Sequence, residues 1–127
     1  MPQDRSKVFF GAPSGLFFGY NSPNAPVSQG KIWSWWVQGM QRGFKTAYDC
    51  VKAFSETDFT EDLKGIEVPV LVLHGHDDQM VPLAASGQQS AELVRDGRSK
   101  VFEGVLHALP TMCVDQVNWE LLEFSQS

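Results

Sequence analysis

The spacing of apolar and polar positions divides the chain into two kinds of sequence. In "SQGKIWSWWVQGMQRGFKTAYDCVKAFSE", Trp33, Val37, Met40, Phe44, Tyr48 and Val51 recur at steps of three or four, which predicts helix, broken into two near Gly39 to Gly43. Ahead of it, "GAPSGLFFGYNSPNAP" reads as loop, because Pro, Gly and Asn punctuate the aromatic pair Phe17 and Phe18. After a short helical turn at "TEDLKG" the pattern changes: Val70, Leu71, Val72 and Leu73 run on without alternation, as in a strand covered on both faces within a parallel sheet. Residues 84–96 then read as helix, 99–103 ("SKVFE") as a second strand, and Asp115 to Phe124 as a final helix with a good N-cap at its start.

Strand, helix, strand, helix is the order of an α/β domain. Two parallel strands leave edges and apolar faces that water penalises, so more sheet is expected than this chain supplies. The additional strands would come from another chain or from a larger fold.

Composition narrows the functional classes. The chain has 127 residues, 43% hydrophobic and 20% charged, the size and balance of one globular domain. Its net charge is −5 and its ten Lys and Arg are scattered singly, so no basic stripe is present to neutralise a nucleic-acid backbone. Arg5 and Lys7 before "VFFGAPSGLFFGY" loosely imitate a secretion signal, but Pro13 and the glycines at 11, 15 and 19 interrupt the run. No stretch approaches the ~18 apolar residues of a membrane span. Cys50 and Cys113 have neither metal-type nor redox-type spacing and are expected as buried thiols in a reducing cytoplasm.

The densest chemistry lies at residues 73–82, "LHGHDDQMVP". His74, His76 and Asp78 give H-x-H-x-D, a plausible start to a metal site, but Gln79 stands where a dinuclear hydrolase motif continues with His, and His107 is the one remaining histidine. A plain turn, solvated and capping the next helix, is a second reading. The third uses topology, since ligands of open α/β sheets bind beyond the carboxyl ends of the strands. Asp78 follows the first strand, and His107, in "EGVLHALP", follows the second, 29 residues on. Acid then base is the order of the last two members of a catalytic triad, in which Asp orients the imidazole and the imidazole takes a proton from a nucleophile.

At these residues a resemblance emerges. "AFSETDF", "IEVPVLVLHGHDDQMVP", "SAELV", "EGVLHALP" and "LLEF" together resemble the C-terminal half of the cofactor-free, non-haem haloperoxidases and arylesterase/perhydrolases of the α/β-hydrolase fold, and "VSQGKIWSWWVQGM" resembles their helical cap. The resemblance implies a cap over residues 1–62 and the end of the core sheet, its last two parallel strands with flanking helices, over 63–127. It implies Asp78 as triad acid and His107 as base, with Asp77 and His76 at variable turn positions; for His74, at the strand end, a hydrogen bond to a neighbouring loop is the ordinary structural expectation. Phe17, Phe54, Met80 and Leu83 match substrate-pocket positions. No metal or other cofactor is implied. The substrates would be small acyl or aryl esters, or a short carboxylic acid with hydrogen peroxide, giving a peracid that oxidises halide.

One departure is sharp. The family's nucleophile is a serine in G-x-S-x-G, and the 127 residues contain no such motif; "GAPSG" at 11–15 is one residue out of pattern, and Ser14 is expected to be a loop serine. The expectation is a truncated hydrolase, inactive alone, with the acid and base but no nucleophile. Other readings are half of a split enzyme completed by an N-terminal half, a non-catalytic assembly module or homo-oligomer, and, third, a metallohydrolase.

Overall fold

The computed structural model describes residues 4–19 and 27–127, which form two compact units, Met1–Phe59 and Thr60–Ser127. The part of the expected loop at 20–26 lies outside the described residues.

The first unit is helical. Helix α1 (Arg5–Ser14) starts where the Asp4 side chain accepts from the Lys7 amide, and a 3-10 turn, Leu16–Phe18, follows it. This corrects the reading of residues 11–18 as loop. Pro13 sits one residue from the helix end and has no N–H to offer the Phe9 carbonyl, and Ser14 closes the helix by donating its hydroxyl to the Phe10 carbonyl at 2.6 Å. Helices α2 (Gln29–Gln41) and α3 (Phe44–Glu56) carry the expected stripe, and the break falls at Arg42 and Gly43, both extended. Gly39 brings α2 onto α1, since a Cβ there would stand 3.0 Å from the Phe9 ring. The Arg5 guanidinium binds the Met40 and Arg42 carbonyls at the end of α2, and Trp36 donates to the Ser6 carbonyl. Phe18 and Ile32 are fully buried, with Trp35 packed against Phe17 and Phe18. Cys50, expected in the interior, lies exposed on α3, which buries none of its residues completely.

The second unit is α/β. Helix α4 (Thr60–Lys64) leads to β1 (Val70–Gly75), then a 3-10 turn (Leu83–Ala85), α5 (Gly87–Leu93), β2 (Gly97–Phe102), α6 (Leu109–Met112) and α7 (Val114–Ser125). The two strands run parallel, from Val70 opposite Gly97 to Gly75 opposite Phe102. Strand β2 begins two residues earlier than the apolar pattern indicated, because its polar start, Gly97–Arg98, pairs through backbone alone. Helix α5 is shorter than expected: Ser86 leaves helical geometry and its hydroxyl bonds the Pro82 carbonyl. No side chain caps α7, whose N-cap position is Cys113. Phe102, Val105, Leu109 and Val117 form the core, with Leu73, Met112 and the half-buried Cys113 against it. The residues of β1 before Gly75 are half-buried rather than enclosed, since the described sheet has only two strands.

Candidate functional site

The C-terminal ends of β1 and β2 are drawn together by backbone. Gly75 closes β1 against the loop after β2, where a Cβ would overlap the Val105 carbonyl and come within 2.7 Å of that of Leu106. Beyond it, the His76 amide donates to the Phe102 carbonyl and the Asp77 amide to the Val105 carbonyl, both at 3.0 Å. The chain leaving β1 is therefore bonded directly to the segment that delivers His107.

Asp78 and His107 meet there. His107 Nδ1 lies 2.7 Å from Asp78 Oδ2, and because a carboxylate oxygen can only accept, Nδ1 carries the hydrogen. The proton-accepting lone pair of the neutral ring is then on Nε2. The other carboxylate oxygen, Oδ1, accepts from the Met80 and Val81 amides, each at 2.9 Å. These bonds compensate the burial of a group whose side chain is only 4% exposed, while the His107 side chain is 30% exposed and remains accessible from outside. The arrangement supplies a held base: an imidazole fixed in one tautomer and orientation by a buried carboxylate, with its basic nitrogen directed away from it.

The neighbouring polar residues separate by environment. Asp77 is half-exposed and bonds the exposed His76 through Nδ1 at 2.9 Å; that hydrogen bond, and the charge of Glu103 at 3.7 Å, raise the His76 pKa above its ordinary 6.5. His74 faces inward, its Nε2 2.9 Å from the Val81 carbonyl, as expected of a residue bonded to the adjacent loop. The two histidines thus point to different partners, and among the described residues no group of three or more His, Cys, Asp or Glu is placed to hold a metal ion. The solvated-turn reading fails for Asp78, which is 8% exposed, and describes Asp77 instead.

The four residues that the resemblance matches to pocket positions have varied settings, two in each unit. Phe17 stacks obliquely on Trp35, with ring centroids 4.4 Å apart, and Phe54 is exposed on α3. Met80 is exposed but lends its amide to Asp78, and Leu83, half-buried, begins the 3-10 turn. Sequence reasoning missed the roles of the Met80 and Val81 amides. Their signal was an Asp followed four residues on by the Pro that ends the turn, a setting in which carboxylates bond the backbone ahead of them. A groove of about 570 Å³ between β2 and α7, lined by Lys100, Phe102, Val105, Trp119 and Glu120, includes neither Asp78 nor His107.

No protein-family model matches the chain. It is 49% identical over 125 residues to a bifunctional esterase/perhydrolase of Acinetobacter calcoaceticus, covering 98% of this chain and 45% of that protein. It is 47% identical to a non-heme haloperoxidase of Rhodococcus erythropolis and 46% identical to a non-heme chloroperoxidase of Burkholderia pyrrocinia, over 98% and 100% of its length. Among solved structures it superposes on a bromoperoxidase from Bacillus anthracis with a TM-score of 0.90 at 28% identity, over 98% of this chain and 45% of the other. The chain spans a little under half the length of these relatives, and its fold is the corresponding part of an α/β-hydrolase. No helix among the described residues is long and apolar enough to cross a membrane.

Proposed function

We propose that this chain, which belongs by sequence to the non-heme haloperoxidase and esterase/perhydrolase family of α/β-hydrolases, contributes the general base and its orienting acid to a serine-type ester hydrolase. The observation that carries the reading is the 2.7 Å bond between His107 Nδ1 and a buried Asp78 whose second oxygen is held by two backbone amides. Residues 1–62 are read as cap and 63–127 as the end of the hydrolase core. The setting is read as cytoplasmic.

In the proposed reaction a serine outside these 127 residues attacks the ester carbonyl while His107 Nε2 takes its proton. Asp78 stabilises the resulting imidazolium, which returns the proton to the departing alcohol. The acyl-enzyme is then released by water, giving an acid, or by hydrogen peroxide, giving a peracid. Phe17, Phe54, Met80 and Leu83 are assigned to the acyl or aryl group on the strength of the resemblance alone. The chain by itself has an acid and a base with no nucleophile to activate.

The test is a chimera in which this chain replaces the matching segment of the Acinetobacter relative. Turnover of an aryl acetate is expected from the chimera, lost in His107→Ala, and absent from the 127-residue chain alone. A folded chimera as active with His107→Ala as without it would refute the assignment. Turnover by the chain alone that His107→Ala abolishes would place a nucleophile within these residues.

A further inference from the structure

We infer that His74 is a positioning residue for the acid–base pair: it clasps the loop that carries Asp78, and so directs the Met80 and Val81 amides onto the carboxylate. The inference extends the reading of Asp78 and His107 given above. His74 Nε2 lies 2.9 Å from the Val81 carbonyl, and because a carbonyl can only accept, Nε2 carries the hydrogen. The amide nitrogen of the same residue donates to Asp78 Oδ1. One imidazole therefore holds the peptide plane next to the one that holds the acid. The same Nε2 is 3.5 Å from Asp78 Oδ2, too long for a good hydrogen bond but on the positive side of the ring, beside the oxygen that receives His107.

The site is built to keep that ring where it is. The His74 side chain is only 12% exposed, and it fills the space left by a glycine at the start of α5: a Cβ on Gly87 would stand 2.5 Å from His74 Nδ1. The strand fixes the backbone of His74 opposite Val101. Ring, strand and helix start thus form a rigid support, while the loop from His76 to Pro82 has no regular structure of its own: backbone bonds from His76, Asp77 and Asp78 tie its start, and side-chain bonds hold Met80 and Val81. Apolar packing of His74 alone would not require the donor at Nε2.

The experiment separates the donor from the packing. Amide hydrogen exchange on the 127-residue chain is compared in the wild type, His74→Phe, which keeps a ring without the donor, and His74→Gln, whose amide can donate to the Val81 carbonyl. Exchange at Met80 and Val81 is expected to quicken about fivefold or more in His74→Phe, the scale of one lost hydrogen bond, while amides of the β1–β2 ladder keep their rates. His74→Gln should restore most of the protection, together with the low-field Nδ1–H resonance of His107. Equal protection in His74→Phe and wild type, or a His74→Gln as exposed as His74→Phe, overturns the inference. Should His74→Phe lose ladder protection as well, Gly87→Ala supplies the second variant: it retains the imidazole and displaces it, and must expose Met80 and Val81 selectively. None of these readouts depends on turnover, so a failed chimera and a failed clasp remain distinct results.

Discussion

Asp77 and Asp78 are adjacent, chemically alike and given opposite tasks by their surroundings. Asp78 points inward to two amides and an imidazole, whereas Asp77 stays in solvent beside His76. In an active chimera, Asp78→Asn should lower kcat by ~10⁴-fold, because an amide presents the wrong hydrogen-bonding partner to His107 Nδ1. Asp77→Asn should leave kcat within about twofold, since a change at an exposed side chain rarely carries more; steady-state kinetics of the two variants checks both. At His76 the sign of the pH effect follows from its raised pKa, caused first by the bond to Asp77 and then by Glu103. The folded state holds the proton more tightly, so the small stabilisation is complete below about pH 6.5, the unfolded value, and is lost as pH rises through the raised folded value. An NMR titration should therefore place the His76 midpoint above 6.5, and Asp77→Asn should lower it.

At the scale of elements, the site depends on how closely β1 ends against the loop that follows β2. Gly75→Ala inserts a Cβ into the Val105 and Leu106 carbonyls, with backbone on both sides and no flexible side chain to yield. A loss of about 1–3 kcal/mol is expected, as for other overpacked sites, together with loss of the His107 Nδ1–H resonance. Urea denaturation and the proton spectrum measure the two effects. Gly75 stands in "LHGHDD" as one more turn residue, and nothing in its neighbours reveals that a distant carbonyl approaches it. The same limit explains which elements were legible. The apolar run of Val70–Leu73 reports its own burial and marked β1, whereas residues 97–98 enter β2 only because a partner strand is alongside. Helix α1 was hidden by Gly11 and Pro13, whose local preference for turns is overridden by the Asp4 cap and by packing on α2. Asp78 and His107 were legible because each follows a strand; the amides that hold Asp78, and the Val81 carbonyl that holds His74, belong to backbone that carries no residue signature.

For the molecule as a whole, the amount of exposed apolar surface bears on the proposal that further residues complete this fold. Trp33, Tyr48 and Phe54 are 58%, 61% and 64% exposed, and Val68, Trp119 and Leu122 in the second unit are 64%, 59% and 61% exposed. Single exposed apolar residues are ordinary, but here they accompany a two-stranded parallel sheet, a form seldom left with its edges uncovered. The relatives are more than twice as long, and their further residues are the natural source of that cover. The isolated chain should therefore bind a hydrophobic dye such as ANS strongly, whereas the chimera, in which the relative's own sequence completes the fold, should bind little. Dye fluorescence at equal concentration compares them, with circular dichroism showing that both are folded. Equal, low fluorescence from the two would mean that the isolated chain covers these surfaces itself, and it would remove the physical argument that its apolar faces await the rest of a hydrolase.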